Sequence, residues 1–288
     1  RQVVVGAPDA KGREEILQVH ARGKKLAPDV DLKDIANTTQ GFTGADLENL
    51  LNEALAKHPE LTPVVKCEWS EANESMQDVK DSFIRVALGT EKKSHIKTEL
   101  ERKITAYHEA GHAILFEKMP DLSPVHTVSI IPIGMAGGYT MYRPTEDKNF
   151  MSKTEMEENI VSLLGGRVAE ALILNDVSTG ASNDIERATK IARSMVTKYG
   201  MSERIGTLML GSDQSEVFLG RDFAQSKEYS EETAGIIDEE TKAIIDKGYN
   251  RAKQILTDHV DKLHAVAAVL LEKEKIEADE FERIFEGE

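Results

Sequence analysis

Cysteine, aromatic residues and long apolar runs are all scarce in this sequence. Cys67 is the single cysteine among the 288 residues, so an internal disulfide is excluded and a metal site built from thiolates is not expected. Aromatic residues make up 5% of the chain, which leaves the core to aliphatic side chains and methionine. No apolar run approaches the roughly 20 residues that cross a bilayer. We therefore expect this chain to be soluble and to suit a reducing compartment.

Positive charge is scarce as well. The formal net charge is −15 at pH 7, whereas a nucleic-acid partner requires clustered lysine and arginine. We therefore expect no nucleic acid as a partner and attribute the acidic surface to solubility. The chain opens on "RQVVVGAPDA", with neither an initiator methionine nor the pattern of a signal peptide, and we expect it to be part of a longer protein.

Apolar periodicity predicts a mainly α fold in two parts. Residues 1–95 carry helical patterns, including "GFTGADLENLLNEALAKH", where Thr43 is placed to cap a helix. The stretch 57–75, "KHPELTPVVKCEWSEANES", is less patterned. Residues 96–288 are mostly helical, and "HTVSIIPIG" and "GGYTMYRP", which flank a glycine-rich turn, add a pair of strands.

A glycine pair lies inside one predicted helix. The pattern of "KTEMEENIVSLLGGRVAEALIL" favours a single helix over 153–174, which Ser152 and Glu155 would open as a capping box. Gly165 and Gly166 lower the helix propensity of this segment. We therefore expect them to permit the close approach of another backbone.

Residues 105–114, "TAYHEAGHAI", contain two histidines four positions apart. On a helix, His108 and His112 project from one face, at the spacing that binds a single Zn²⁺. Glu109 is poorly placed to bind the same ion but can reach its bound water as a base, and Gly111 leaves room for another segment to pack there. The alternative is that two histidines share a helix face by chance, because five residues alone do not establish a metal site.

A catalytic zinc site needs a third protein ligand and an open position. No histidine follows at the spacing of the longer HExxH families, and four acids remain: Asp121, Glu170, Asp176 and Asp184. Asp184 is preferred because it starts a helix after a Gly/Ser-rich loop, where backbone N–H groups favour an ionised carboxylate. Glu170, in the Gly-Gly helix, is the runner-up. The alternative interpretation of Asp184 is an acid that only stabilises the start of its helix, and that of Glu170 is an exposed surface charge.

Several motifs occur in a consistent order between about residues 100 and 285. They are "AYHEAGHAI", "GGYTMYRP", "GGRVAE", "STGASNDIERAT", "EVFLGRD" and "YNRAKQIL". Together they resemble the FtsH family of ATP-dependent, membrane-anchored zinc metalloproteases. The segments "RQVVVGAPDAKGREEIL" and "GFTGADLENLLNEA" are similar to the end of an AAA+ ATPase core and its helical lid. The resemblance implies an AAA+ lid and linker over 1–95 and a mostly helical zinc metallopeptidase domain with a small β-sheet over 96–288.

The resemblance also implies the roles of individual residues. His108, His112 and Asp184 correspond to the ligands of one Zn²⁺ per chain. Glu109 corresponds to the catalytic base, which activates zinc-bound water for attack on a peptide carbonyl.

The segment "GGYTM" corresponds to an edge strand beside the catalytic cleft. An unfolded polypeptide could bind there by strand addition, through main-chain contacts with little sequence preference. The residues implied to bind substrate are Gly138, Tyr139, Thr140 and Met141.

At the level of the whole protein, the resemblance implies a homo-hexamer on the cytoplasmic face of a cell membrane, which degrades unfolded or unassembled proteins. This chain has no phosphate-binding glycine loop with Lys and Ser/Thr and no Walker B acid. ATP, Mg²⁺ and the membrane would therefore be bound by segments before Arg1. The 57–75 stretch also departs from the family pattern. Without the ATPase core, the alternative function is a proteolytically silent module that regulates assembly or the ATPase.

Overall fold

The protein is described by a computed structural model, over residues 6–24, 26–56, 79–80, 82–83, 85–86, 98–133, 136–142, 150–210 and 229–286. Contacts divide the chain into two compact units. The first is formed mainly by Arg1–Ile96, and the second by Lys97–Ile130, Gly137–Tyr142 and Phe150–Glu288. The assignment of domains to 1–95 and 96–288 stays a prediction, and the atypical 57–75 stretch lies outside the described residues.

Helices α1 (Ala10–His20), α2 (Leu32–Thr38) and α3 (Gly44–Ala56) belong to the first unit. Thr43 caps α3 as predicted. Its hydroxyl accepts a 3.4 Å hydrogen bond from the backbone N–H of Asp46, and the Asp46 carboxylate accepts a 2.8 Å bond from the backbone N–H of Thr43. The apolar stripe of α3 is fully buried and forms the centre of this core: Leu47, Leu50, Leu51 and Ala54.

The second unit is mostly helical. Its elements, in chain order, are α4 (Glu99–Lys118), β1 (Val125–Ser129), β2 (Tyr139–Tyr142), α5 (Lys153–Leu163), α6 (Gly165–Leu174), α7 (Ser182–Thr197), α8 (Glu231–Asp258), α9 (Val260–Lys273), β3 (Lys275–Glu277) and α10 (Ala278–Glu286). Helix α4 lies at the centre and packs against α6, α8 and α9. Within the described ranges, no helix combines the length and apolar character that a membrane span requires.

The small sheet has the strand order β2-β1-β3, and both pairs are antiparallel. The predicted strand pair is therefore present as β1 and β2, with Ser129 opposite Tyr139 and Val128 opposite Thr140. Within the described residues, β2 has a strand on one side only, which makes it an edge of the sheet.

The single helix predicted over 153–174 is wrong in one respect, because the chain forms two helices there. Helix α5 ends at Leu163, Leu164 forms a turn, and α6 begins at Gly165. Ser152 caps α5 as expected, since its hydroxyl accepts a 3.0 Å bond from the backbone N–H of Glu155. The break falls where the two glycines make a continuous helix least favourable.

Glycines bring α4 and α6 into direct backbone contact. A Cβ atom at Gly111 would lie 2.6 Å from the carbonyl oxygen of Gly165, and one at Gly165 would lie 2.9 Å from the carbonyl oxygen of Gly111. Any side chain at either position would therefore push the helices apart. The close backbone approach predicted here is confirmed for Gly111 and Gly165, whereas Gly166 lies against the ring of His108 rather than against a backbone.

Candidate metal centre

Helix α4 carries three of the candidate site residues in its buried middle part. A capping box starts the helix, since the Thr98 hydroxyl accepts from the Glu101 N–H at 3.2 Å while the Glu101 carboxylate accepts from the Thr98 N–H at 2.8 Å. Ten residues of α4, from Ala106 to Leu115, are buried. His108, Glu109 and His112 are therefore held by a rigid element rather than by a loop: they are 9%, 6% and 8% exposed.

The structure brings Asp184 to the histidine pair. The Nε2 atoms of His108 and His112 lie 3.1 Å apart, and Oδ2 of Asp184 lies 3.4 Å and 3.7 Å from them. Asp184 is in the first turn of α7, as the sequence predicts, after the 3₁₀ turn Thr179–Ala181. Elsewhere in the described part of the chain, no other three His, Cys, Asp or Glu side chains converge in this way.

These separations fit a zinc ion. Ligands at 2.0–2.2 Å in tetrahedral coordination lie about 3.3 Å from one another, close to the three observed distances. Two imidazole nitrogens and one carboxylate oxygen also form a common donor set of catalytic zinc sites, with a fourth position left open. The donor set and its geometry are thus compatible with one Zn²⁺.

The second nitrogen of each imidazole has an acceptor that fixes the ring. His112 Nδ1 lies 2.8 Å from the carbonyl oxygen of Ser162, and His108 Nδ1 lies 2.7 Å from Oε1 of Glu170. Since a carbonyl or a carboxylate can only accept, each Nδ1 carries the hydrogen. In the neutral form of each ring, Nε2 therefore carries the lone pair and is the nitrogen on the Asp184 side, as a metal-binding histidine requires.

Protonation of the pair reflects the same geometry. Burial lowers the pKa of His108, but hydrogen bonds with Asp184 and Glu170 outweigh it and raise that pKa to about 10. Burial raises the pKa of Asp184, but contacts with His108 and His112 outweigh it and lower that pKa below its usual range. Without a metal, His108 therefore keeps a proton at the position between the three side chains where a cation would bind.

Zinc uptake is therefore expected to release a proton. His108 keeps its proton until the pH approaches 10, so zinc binding near neutral pH must displace about one proton from it. Protonation of His108 stabilises the metal-free protein below its unfolded pKa of about 6.5, and this contribution is lost as the pH rises through 10. The stabilisation by zinc should hence grow from about pH 6 to pH 9. Calorimetric titration in buffers of different ionisation enthalpy measures the release, and identical heats in all buffers would contradict it.

The other three acids are placed differently. Glu170 is 1% exposed and uses both oxygens, because Oε1 contacts His108 Nδ1 and Oε2 accepts a 2.6 Å bond from the Ser178 N–H. This makes Glu170 a support for His108 rather than a third donor. Asp121 and Asp176 are not members of the three-residue cluster.

Replacing Glu170 with glutamine is expected to weaken zinc binding by about 10- to 100-fold, because His108 loses its charged partner. Glu158→Gln is the matched control. Glu158 is equally buried but accepts from the Asp121 N–H and pairs with Arg251. Competition with a chromophoric chelator measures the affinity. Equal losses of zinc affinity in the two variants would show that Glu170→Gln acts through general destabilisation of the fold.

Gly166 provides the space for the His108 ring. A Cβ atom at this position would lie 2.3 Å from Cε1 of His108. We expect Gly166→Ala to lower the free energy of unfolding by about 1–3 kcal/mol and to weaken zinc binding through displacement of the ring. Gly235→Ala is the control, since nothing lies within 4 Å of a Cβ there, and it should raise stability by up to about 1 kcal/mol. Denaturant unfolding and zinc titration test both, and wild-type behaviour of Gly166→Ala would refute the steric argument.

The carboxylate of Glu109 contacts the edge strand and lies near the first histidine ligand, since its charge helps to raise the pKa of His108. Its Oε2 accepts a 2.8 Å hydrogen bond from the hydroxyl of Thr140, and a Cβ at Gly138 would lie 2.9 Å from its Oε1. Tyr139 is buried, while Thr140 and Met141 are half-buried in β2. The residues predicted to bind substrate thus line the strand next to the candidate base. The contact between Thr140 and Glu109 has no signal in the sequence.

The part of the chain that contains the histidine pair and Asp184 matches a known protein family. Residues 95–284 match the model of peptidase family M41, and residues 29–56 match the AAA+ lid domain. An "ATP-dependent zinc metalloprotease FtsH" from Caldicellulosiruptor bescii is 57% identical over 99% of this chain, which covers 45% of that protein.

Two further relatives are equally informative. "ATP-dependent zinc metalloprotease FtsH 1" from Thermoanaerobacter sp. is 55% identical over 100% of this chain and 46% of its own length, and the FtsH 2 protein of Alkaliphilus metalliredigens is 53% identical over 100% and 41%. The chain thus spans less than half the length of these relatives. The M41 match covers about two thirds of the chain, including the histidine pair and Asp184, and the chain therefore belongs to peptidase family M41.

Proposed function

We propose that this chain carries the zinc endopeptidase site of an ATP-dependent protease that degrades unfolded or unassembled proteins. One observation carries the proposal: the Nε2 atoms of His108 and His112 and Oδ2 of Asp184 lie 3.1–3.7 Å from one another. In this reading the three residues hold one Zn²⁺. When bound, zinc supplies Lewis-acid chemistry that makes a water more acidic and a substrate carbonyl more electrophilic.

Glu109 is the general base of this site. Its carboxylate lies on the same helix as the two histidines, is 6% exposed and is not needed as a ligand. It accepts a proton from the attacking water and can return that proton to the departing amine, so that the peptide C–N bond breaks without releasing an amide anion.

Strand β2 supplies the place for the substrate. An extended polypeptide could pair along the outer edge of β2 (Tyr139–Tyr142), next to Glu109. Main-chain pairing depends little on side chains, which suits a protease for unfolded proteins. Gly138, Tyr139, Thr140 and Met141 would form this edge.

The whole protein has further properties in this proposal. The relatives are named ATP-dependent zinc metalloproteases, and the lid match at 29–56 fits an attached ATPase. ATP, Mg²⁺ and the membrane would be bound by segments outside this chain. The assembly would be a homo-hexamer on the cytoplasmic face of a cell membrane.

Cleavage of a short unfolded peptide by this chain tests the proposal. We expect one zinc per chain by metal analysis, hydrolysis that a chelator abolishes, and recovery on adding zinc. The absence of both zinc and cleavage would refute the proposal. Stoichiometric zinc without cleavage would instead favour the second candidate, a silent module for assembly or ATPase regulation. This candidate is worth testing because the chain covers only 45% and 46% of the two relatives' own lengths.

A further inference from the structure

The hydroxyl of Thr140 is committed to Glu109. Thr140 Oγ1 lies 2.8 Å from Oε2 of Glu109 and 3.2 Å from its backbone carbonyl oxygen. A threonine hydroxyl has one hydrogen to donate, and a carboxylate is the stronger acceptor. The shorter contact is therefore the hydrogen bond that matters, and it fixes one oxygen of the carboxylate.

Gly138 limits the other oxygen. A Cβ atom at Gly138 would lie 2.9 Å from Oε1 of Glu109 and 2.6 Å from the carbonyl oxygen of Ser129. The backbone at Gly138 therefore lies directly against Oε1. Both oxygens of Glu109 are in this way bounded by the same short segment, with Thr140 on one side and Gly138 on the other.

A second contact fixes the register between β2 and α4. The ring of Tyr142 stacks on that of Phe116, with centroids 5.1 Å apart. Thr140 and Tyr142 are two positions apart and share one face of the strand. Glu109 and Phe116 are seven apart and share one face of the helix. Two side-chain pairs thus place the edge strand along α4, with the hydroxyl opposite the carboxylate.

We propose that Thr140 is a positioning residue that orients the carboxylate of Glu109. The proposal rests on the proposed function of Glu109 as a base. It also assigns Thr140 a role other than contacting the side chain of a substrate. Strand β2, which would pair with the polypeptide, thereby also orients the carboxylate of Glu109.

Removal of the hydroxyl should act on the chemical step. Thr140→Val keeps the shape and the strand preference of the side chain but leaves Glu109 Oε2 without its donor. We expect kcat for peptide hydrolysis to fall by about 10- to 100-fold, with KM within about twofold and zinc content unchanged. Thr140→Ser restores the donor and should recover most of kcat.

Two controls separate positioning from general damage. Thr127→Val removes another threonine hydroxyl of the sheet, bound 3.2 Å from Glu277, and should leave kcat at the wild-type value. In a Glu109→Gln background, Thr140→Val should cause little further loss, because its effect passes through the base. Additive losses in the double variant, or a wild-type kcat for Thr140→Val, would overturn the inference.

Crystal structures provide a readout that needs no activity. The inference predicts one carboxylate orientation for Glu109 in the wild type and in Thr140→Ser, and a rotated or split carboxylate in Thr140→Val. An unchanged carboxylate in Thr140→Val would overturn it. If the wild type shows no chelator-sensitive cleavage, the proposed function fails, while the crystal structures still decide whether Thr140 orients Glu109.

Discussion

Glu109→Gln is expected to lower kcat for peptide hydrolysis by about 10²- to 10⁴-fold, the range that general acid–base catalysis contributes. Glutamine has the size of glutamate and can still accept the hydrogen bond from Thr140, but it cannot take a proton from water. Because Glu109 is not one of the three converging donors, zinc content should equal that of the wild type. Steady-state kinetics together with metal analysis of the same sample measures both quantities.

Glu99→Gln is the matched control for this variant. Glu99 lies in the first turn of the same helix, with its side chain 92% exposed. The same change of charge should there leave kcat within about twofold of wild type. Undiminished hydrolysis by Glu109→Gln would eliminate Glu109 as the base, whatever the state of the metal.

Asp184→Asn is expected to weaken zinc binding by more than about 100-fold, that is, beyond the 10- to 100-fold effects of residues that only support a ligand. An amide oxygen is neutral and a poor zinc donor, and the two imidazoles then hold the ion without a carboxylate. Chelator-sensitive cleavage should disappear at ordinary zinc concentrations and return in part at high zinc. Competitive zinc titration and activity at several zinc concentrations test this.

Asp176→Asn provides the comparison. Asp176 precedes the Gly/Ser-rich loop that leads to Asp184. Its side chain is exposed and accepts a bond from the Val177 N–H, and it is not a member of the histidine cluster. The Asp176→Asn variant should bind zinc with the affinity of the wild type. A larger loss of zinc affinity in Glu170→Gln than in Asp184→Asn would reverse the assignment and make Glu170 the ligand.

The histidine pair was readable from the sequence because its geometry is local. Two residues four apart on any helix face the same way, and His108 and His112 do so with Nε2 atoms 3.1 Å apart. The edge position of β2 followed from family resemblance, and the glycine contact between α4 and α6 from low helix propensity. Only the histidine pair depends on neighbouring residues alone, since the edge strand needed the family and the glycine contact joins two helices.

The rest of the site depends on tertiary packing. A helix-start argument favoured Asp184, but only the packing of α7 decides that its oxygen reaches both imidazoles. Glu170 was the runner-up ligand, and the structure places it on Nδ1 of His108 instead. The carbonyl oxygen of Ser162 had no signal at all, because every residue has such an atom.

For protein engineering, the contact between Gly111 and Gly165 sets the smallest transferable unit. A grafted HExxH helix would bring His108 and His112 along but would leave behind the acceptors of their Nδ1–H groups, Ser162 and Glu170, which lie on the partner helices. The graft must therefore include the α5–α6 segment, with glycine where it touches α4, and also the start of α7, which carries Asp184. A scaffold with alanine at either of these two glycine positions would hold α4 and α6 too far apart.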